Sequence, residues 1–277
     1  MSSSSRYFSF THIMFWFGIA FLYLPMVVLV VYSFNESRLV TVWAGWSTKW
    51  YGELFRDREM MSAVLRSLEV AFYASTTAVF LALFASIMMV RFRRYRGRIL
   101  FSGMITAPLV MPDVIIGLSL LLLFVAMAQL IGWPQNRGLM TVWIAHTTFC
   151  LAYSTVVISS RLREMDRSLE EAALDLGATP VRAFLLITLP IISPAILSAW
   201  LLSFTLSLDD VVIASFVTGP GATTLPIEVF SSVRLGVTPK INALATIIIG
   251  LVSLTALTSW LVTRHLDKRR RAEMALL

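Results

Sequence analysis

The stretch E-A-A-L-D-L-G at residues 171–177 is followed, nine residues on, by I-T-L-P at 187–190. Ser168 and Glu171 stand at the N-cap and third positions of a capping box, so the spacing predicts a helix start there. Gly177 suits the residue after the helix C-cap, where a left-handed backbone excludes most side chains. Thr179 and Pro180 then supply the N-cap and first position of a second helix. The unit reads as helix, sharp turn, helix. Leu169, Ala172, Ala173 and Leu176 fall on one apolar face of the first helix, opposite Glu170 and Leu174. A helix of about two turns is marginal alone, so it requires a surface to pack against.

Composition sets this loop in a membrane protein. Hydrophobic residues make up 57% and charged residues 14% of 277, which leaves too little polar surface for a water-soluble globule of this length. Apolar runs long enough to cross a bilayer occur near 13–34, 67–90, 99–131, 139–160, 191–217 and 242–263. The expected fold is therefore an all-α integral membrane protein of six transmembrane helices, forming a single membrane domain over 1–277. The first run is too long for a cleavable signal and is expected to remain as an anchor. The single cysteine, Cys150, reads as a small core residue.

Six spans put both termini on one side. That side carries fifteen of the 23 Lys and Arg residues, including the Arg91–Arg98 cluster (Arg91, Arg93, Arg94, Arg96, Arg98), Arg161, Arg163, Arg167, Arg182 and the Arg264–Arg271 cluster. The positive-inside rule makes it cytoplasmic. The loop at 164–190 thus faces the cytoplasm, and the basic clusters are explained by topology and anionic lipid, with no nucleic-acid partner expected. On the opposite side, 35–66 is predicted to form a surface helix capped by Ser47, with Trp46 and Tyr51 as a hydrophobic staple.

Three carboxylates fall inside spans: Asp113, Asp209 and Asp210. Charge at membrane depth is costly and usually faces a cavity or a partner. Asp113 lies 15 residues beyond Arg98 and Asp209 15 beyond Pro194, which places both about 22 Å above the cytoplasmic boundary. Pro108 and Pro112 are expected to bend or break the third span just below Asp113. Ser102, Thr106 and Asp113 share one helical stripe and Ser203, Ser207 and Asp210 another, so Ser203, Ser207 and the three Asp residues are the candidate substrate pathway. Of the adjacent pair, Asp210 is favoured slightly. Acidic groups at a constriction suit a cationic solute.

Glu171, Ala172, Ala173, Gly177, Ile187, Leu189 and Pro190 reproduce the EAA loop of binding-protein-dependent ABC importer permeases. Beyond the loop, T-A-P-L-V-M-P-D-V-I-I-G-L-S-L at 106–120, S-F-T-L-S-L-D-D-V-V-I-A-S-F at 203–216 and G-P-G-A-T-T-L-P at 219–226 resemble permeases of polyamine importers, those of putrescine systems above all. The resemblance implies the type I permease fold and places the chain in a bacterial inner membrane. It makes the seven loop residues the coupling site for a cytosolic ATPase. It also implies a sister permease completing a heterodimer, two ATPase subunits and a periplasmic polyamine-binding protein.

The chain has no G-x-x-x-x-G-K-[ST] motif, so ATP is expected on the partner and no cofactor on this chain. His12, His146 and His265 are scattered, and neither a catalytic nor a metal site is expected; His146 reads as a packed or hydrogen-bonded helix residue. Two rivals keep the six spans: an ABC importer of another solute, and a proton-coupled carrier using the carboxylates as relays. The EAA loop and the lack of an internal repeat argue against the second.

Overall fold

The structure is a computed structural model that describes residues 4–39, 42–92, 94–236 and 238–274. Arg93 of the first basic cluster lies outside the described residues. Among the described residues twelve α-helices follow in chain order: α1 Ser4–Tyr32, α2 Lys49–Arg56, α3 Arg58–Arg91, α4 Arg98–Thr106, α5 Asp113–Ile131, α6 Leu139–Glu164, α7 Ser168–Asp175, α8 Pro180–Ala183, α9 Leu189–Asp209, α10 Val212–Val217, α11 Leu225–Leu235 and α12 Pro239–Met274. Six apolar stretches among them are long enough to span a membrane: Phe10–Tyr32, Arg58–Arg91, Asp113–Ile131, Leu139–Glu164, Pro180–Asp209 and Pro239–Thr258.

The third span breaks where its prolines predict, and the fifth has other bounds than expected. The third is interrupted: α4 ends at Thr106, a 3₁₀ turn covers Ala107–Leu109, and α5 begins afresh at Asp113. Pro108 and Pro112 cannot donate to the helix ladder, and the break follows from them. The stripe through Ser102, Thr106 and Asp113 is therefore not continuous. The fifth span starts earlier than expected, at Pro180, and stops at Asp209, because Asp210 takes an extended backbone and α10 follows as a separate helix.

The chain divides into two compact units, Met1–Met61 with Ser231–Leu277, and Ser62–Phe230. In the first unit, α12 packs on α1 and α2. The segment before α2 is organised by buried Asn35, whose Nδ2 donates to Val42 O at 2.7 Å while Oδ1 accepts from Ser37 and Ala44 N–H. Trp50 Nε1 donates to Asn35 O at 2.7 Å. The expected Ser47 cap is displaced: α2 starts at Lys49, and Ser47 Oγ accepts the Lys49 N–H from outside the helix. Phe34 stands between Trp46 and Tyr51, with ring centroids 6.1 and 5.3 Å away, and replaces the expected staple.

In the second unit α6 is the central element, packing most extensively on α9. Its buried positions include Ala145, Cys150, Ala152, Ser154 and Ser159, and such small side chains let membrane helices approach closely. One apolar cluster joins Val70, Ile116, Phe124, Phe149, Ile213 and Val217; another joins Val79, Ile158, Leu162, Ile192 and Ala199. Gly117 of α5 sits against α10, where an added Cβ would lie 2.7 Å from the Phe216 ring and 3.2 Å from Ile213 Cα. Only glycine fits that crossing.

Candidate functional site: coupling loop and membrane carboxylates

The loop forms helix, turn and helix, with a different start from the one expected. Ser168 lies inside α7, and its N–H donates to Asp166 Oδ1 at 3.0 Å, so Asp166 takes the place of the Ser168–Glu171 capping box. A carboxylate two residues upstream is the stronger acceptor for that terminus. The same N–H holds the exposed Asp166 carboxyl below its ordinary value. The far end of α7 closes as a Schellman motif: Gly177 N–H donates to Leu174 O at 2.9 Å and Ala178 N–H to Ala173 O at 3.0 Å, with Gly177 at φ +88°. Thr179 then caps α8, accepting from Arg182 N–H, with Pro180 at its first position.

The faces of α7 are the reverse of a self-packed linker. Leu169, Ala172 and Leu176 point outward, Leu176 being 89% exposed, and Ala173 is partly covered. Glu171 is exposed as well. Glu170 turns inward instead. Its Oε1 meets Arg91 Nη2 at the end of α3 at 2.5 Å and accepts a short bond from Thr188 Oγ1. Arg167 Nη2 adds a second tie to Val90 O at 3.3 Å. Behind α7 lies a cavity of about 240 Å³, bordered by Arg91, Leu162, Glu170, Leu174, Phe184 and Thr188.

Residues 184–188 form a π-helical turn joining α8 to α9, and such wide turns recur at functional sites. Thr188, within I-T-L-P, is buried by it, whereas Ile187 and Leu189 are half-buried and Pro190 is exposed. Sequence reasoning assigned the motif positions but missed Arg91, Glu170 and Thr188. A signal was available: Glu170 lies on the same face of α7 as Leu174, and Arg91 is the first charge after a long apolar run.

Higher in the same unit, the polar residues of the fifth span meet α6. Ser203 Oγ lies 2.6 Å from Ser154 Oγ, and Cys150 Sγ donates to Ser203 O at 3.4 Å. Ser207 Oγ lies 2.7 Å from His146 Nδ1. Both serines are buried, and with Ser154 and His146 they form an interhelical polar ladder. Membrane helices gain from such pairings because lipid offers their hydroxyls no partner.

Asp210 continues this ladder. Its Oδ1 accepts from Ile213 N–H at 3.2 Å and its Oδ2 from Ala214 N–H at 2.7 Å, capping α10. Oδ2 also lies 3.2 Å from His146 Nε2, close but off the line of a hydrogen bond. Asp209 and Asp113 are placed differently: both are exposed, with no ion-pair partner among the described residues. Asp113 opens α5, where the helix dipole favours a negative charge. Asp209 closes α9. Each carboxylate sits where a membrane helix is interrupted, and α5 packs on α10, so the two interruptions belong to one packed group of helices. Broken helices in membrane proteins commonly surround a solute site.

Over 253 residues the chain is 65% identical to the putrescine transport system permease protein PotI of Escherichia coli (strain K12), covering 91% of this chain and 90% of that one. It is 43% identical to the spermidine/putrescine transport system permease protein PotC of Haemophilus influenzae, covering 88% of this chain and 93% of the relative. Among solved structures, a bacterial ABC transporter involved in the import of the acidic polysaccharide alginate superposes with a TM-score of 0.70 at 15% identity, over 94% of this chain and 97% of that one. The MetNI methionine ABC transporter gives 0.60 at 16% identity, over 74% and 94%. The fold is that of ABC importer permeases. Residues 78–272 match the family described as "Binding-protein-dependent transport system inner membrane component", and the chain belongs to it.

Proposed function

We propose that this chain is the permease subunit of an ATP-driven importer of polyamines, putrescine foremost, providing half of the translocation pathway. The observation that carries the substrate is the 65% identity to a putrescine permease across nine-tenths of both chains. The exposed Asp113 and Asp209 at helix interruptions support it, since a carboxylate there offers a diammonium ion compensation for lost water.

The EAA loop is the coupling site. The outward face of Ala172 and Leu176 docks on a cytosolic ATPase, while Glu170, Arg91 and Thr188 fasten the loop to the spans, so movement of the ATPase reaches α3 and α9. Glu171, Ala173, Gly177, Ile187, Leu189 and Pro190 complete that unit. A sister permease, two ATPase subunits and a periplasmic binding protein make up the importer, which hydrolyses ATP on the partner. Both termini and the loop face the cytoplasm, by the distribution of basic residues, and the six spans act as one membrane domain.

The test is uptake in a bacterial strain stripped of its own polyamine importers. The chain, expressed with its neighbouring transport subunits, restores accumulation of labelled putrescine and copurifies with an ATPase. Failure to import any polyamine while the complex assembles would refute the substrate assignment.

A further inference from the structure

A fourth membrane carboxylate lies outside the ladder and the helix interruptions. Glu69 of α3 lines a groove of about 310 Å³ together with Val70, Tyr73, Leu139, Met140 and Trp143. It is exposed to that groove, has no ion-pair partner among the described residues, and is the one charged residue in the lining.

Its depth follows from helix rise. Glu69 stands 22 residues before Arg91 on α3, and Leu139 stands 22 before Arg161 on α6. At about 1.5 Å per residue, each is about 33 Å from the basic end of its helix, at the opposite boundary of a core about 30 Å thick. The groove therefore lies at the membrane boundary remote from the basic helix ends, the periplasmic side in the proposed orientation. Its aromatic wall is fixed: Trp143 Nε1 donates to Thr77 Oγ1 at 3.3 Å, and Thr77 Oγ1 donates in turn to Tyr73 O at 2.6 Å.

A carboxylate on an apolar, aromatic wall matches an ammonium group on a methylene chain. The carboxylate neutralises the charge, the indole and phenol faces attract it, and the alkyl segment covers the apolar lining. We propose that Glu69, Tyr73 and Trp143 form an entry subsite that receives one ammonium end of a linear diamine at the outer membrane boundary. The proposal rests on the polyamine reading and goes beyond it, since it adds a station before the helix interruptions. A lipid headgroup carrying a primary ammonium offers the same chemistry, so the test separates the two.

Putrescine uptake is measured in proteoliposomes that hold the complete importer and a saturating amount of loaded binding protein. Glu69→Gln lowers the rate about tenfold, the scale of one charge-assisted and cation–π contact, with the complex assembled in normal amount. Trp143→Leu lowers it severalfold, and Glu69→Asp keeps most of the wild-type rate. These results hold equally in vesicles with and without phosphatidylethanolamine. Wild-type uptake by Glu69→Gln overturns the subsite and leaves the polyamine reading standing. A defect confined to phosphatidylethanolamine vesicles assigns the groove to lipid, and an equal loss of assembly in all three variants assigns Glu69 a structural role; both overturn the proposal. A wild-type complex that imports no diamine overturns the polyamine reading itself, and the subsite with it.

Discussion

Arg91 Nη2 lies 2.5 Å from Glu170 Oε1, so the last turn of the second membrane span and the first turn of α7 are joined by a charge-assisted bond. Both side chains are largely covered, at 17% and 22% exposure, and Thr188 adds its hydroxyl to the same oxygen. Removing one partner leaves a shielded charge, a loss of roughly 2 to 5 kcal/mol. Glu170→Gln and Arg91→Met are expected to abolish most uptake while the protein still inserts. Glu171→Gln, on the exposed side, leaves assembly of the isolated permease intact and weakens only copurification of the ATPase. Equal behaviour of Glu170→Gln and Glu171→Gln would contradict this division of labour.

Gly177 has φ +88° and no atom within 4 Å of the position a Cβ would take, so the effect of a side chain there is backbone strain alone. That strain is of order 1 to 3 kcal/mol for a β-branched residue and small for asparagine. Uptake is expected to fall in the order Gly177, Gly177→Asn, Gly177→Ala, Gly177→Val, at constant abundance in the membrane. Wild-type transport by Gly177→Val shows that the Schellman turn is not needed for coupling.

Asp209 and Asp210 are neighbours with opposite commitments. Asp210→Ala loses the cap on the Ile213 and Ala214 N–H groups, about 1 to 2 kcal/mol, and removes the carboxylate facing buried His146. It is expected to reduce abundance, and Asp210→Asn less so, since an amide oxygen still accepts from Ala214. Asp209→Asn and Asp113→Asn are expected to leave abundance near normal and cut putrescine uptake severalfold. Blotting and uptake on the same membranes decide the matter; full transport by both Asn variants removes these residues from the pathway.

This reverses the sequence ranking of the two aspartates, for a definable reason. Helical spacing put Ser203, Ser207 and Asp210 on one stripe; Ser203 and Ser207 share that face of α9, and Asp210 follows just past the helix end. Which neighbour that face meets depends on where α6 sits, and Ser154 and His146 are remote in sequence from the residues they bond. Local chemistry was readable where it is self-contained: Gly177 as a left-handed turn, Thr179 and Pro180 as a helix start, Pro108 and Pro112 as a break. It failed where two local acceptors compete, as Asp166 does with Ser168, and where burial alone picks out Glu170 or Thr188.

Lys240 Nζ lies 2.7 Å from Asp57 Oδ2 within the unit formed by both ends of the chain. The Lys240 ammonium holds the Asp57 carboxyl below its ordinary value, against a smaller opposing effect of burial. A depressed carboxyl contributes stability that is present above its unfolded pKa of about 4 and is lost as pH falls through the folded value. Thermal unfolding of the detergent-solubilised protein is expected to shift down over that acid interval, and less so in Lys240→Met. An identical acid-side profile in the variant removes this pair as a cause.

The proposed function requires that ATP drive a diamine through this permease by way of the 164–190 loop. The most direct measurement is putrescine accumulation in proteoliposomes containing the purified complex, loaded binding protein outside and ATP inside. Uptake is expected to require both, to fall in Glu170→Gln while the ATPase remains bound, and to be unaffected by an anionic solute. Accumulation without ATP, or preference for the anion, would contradict that function.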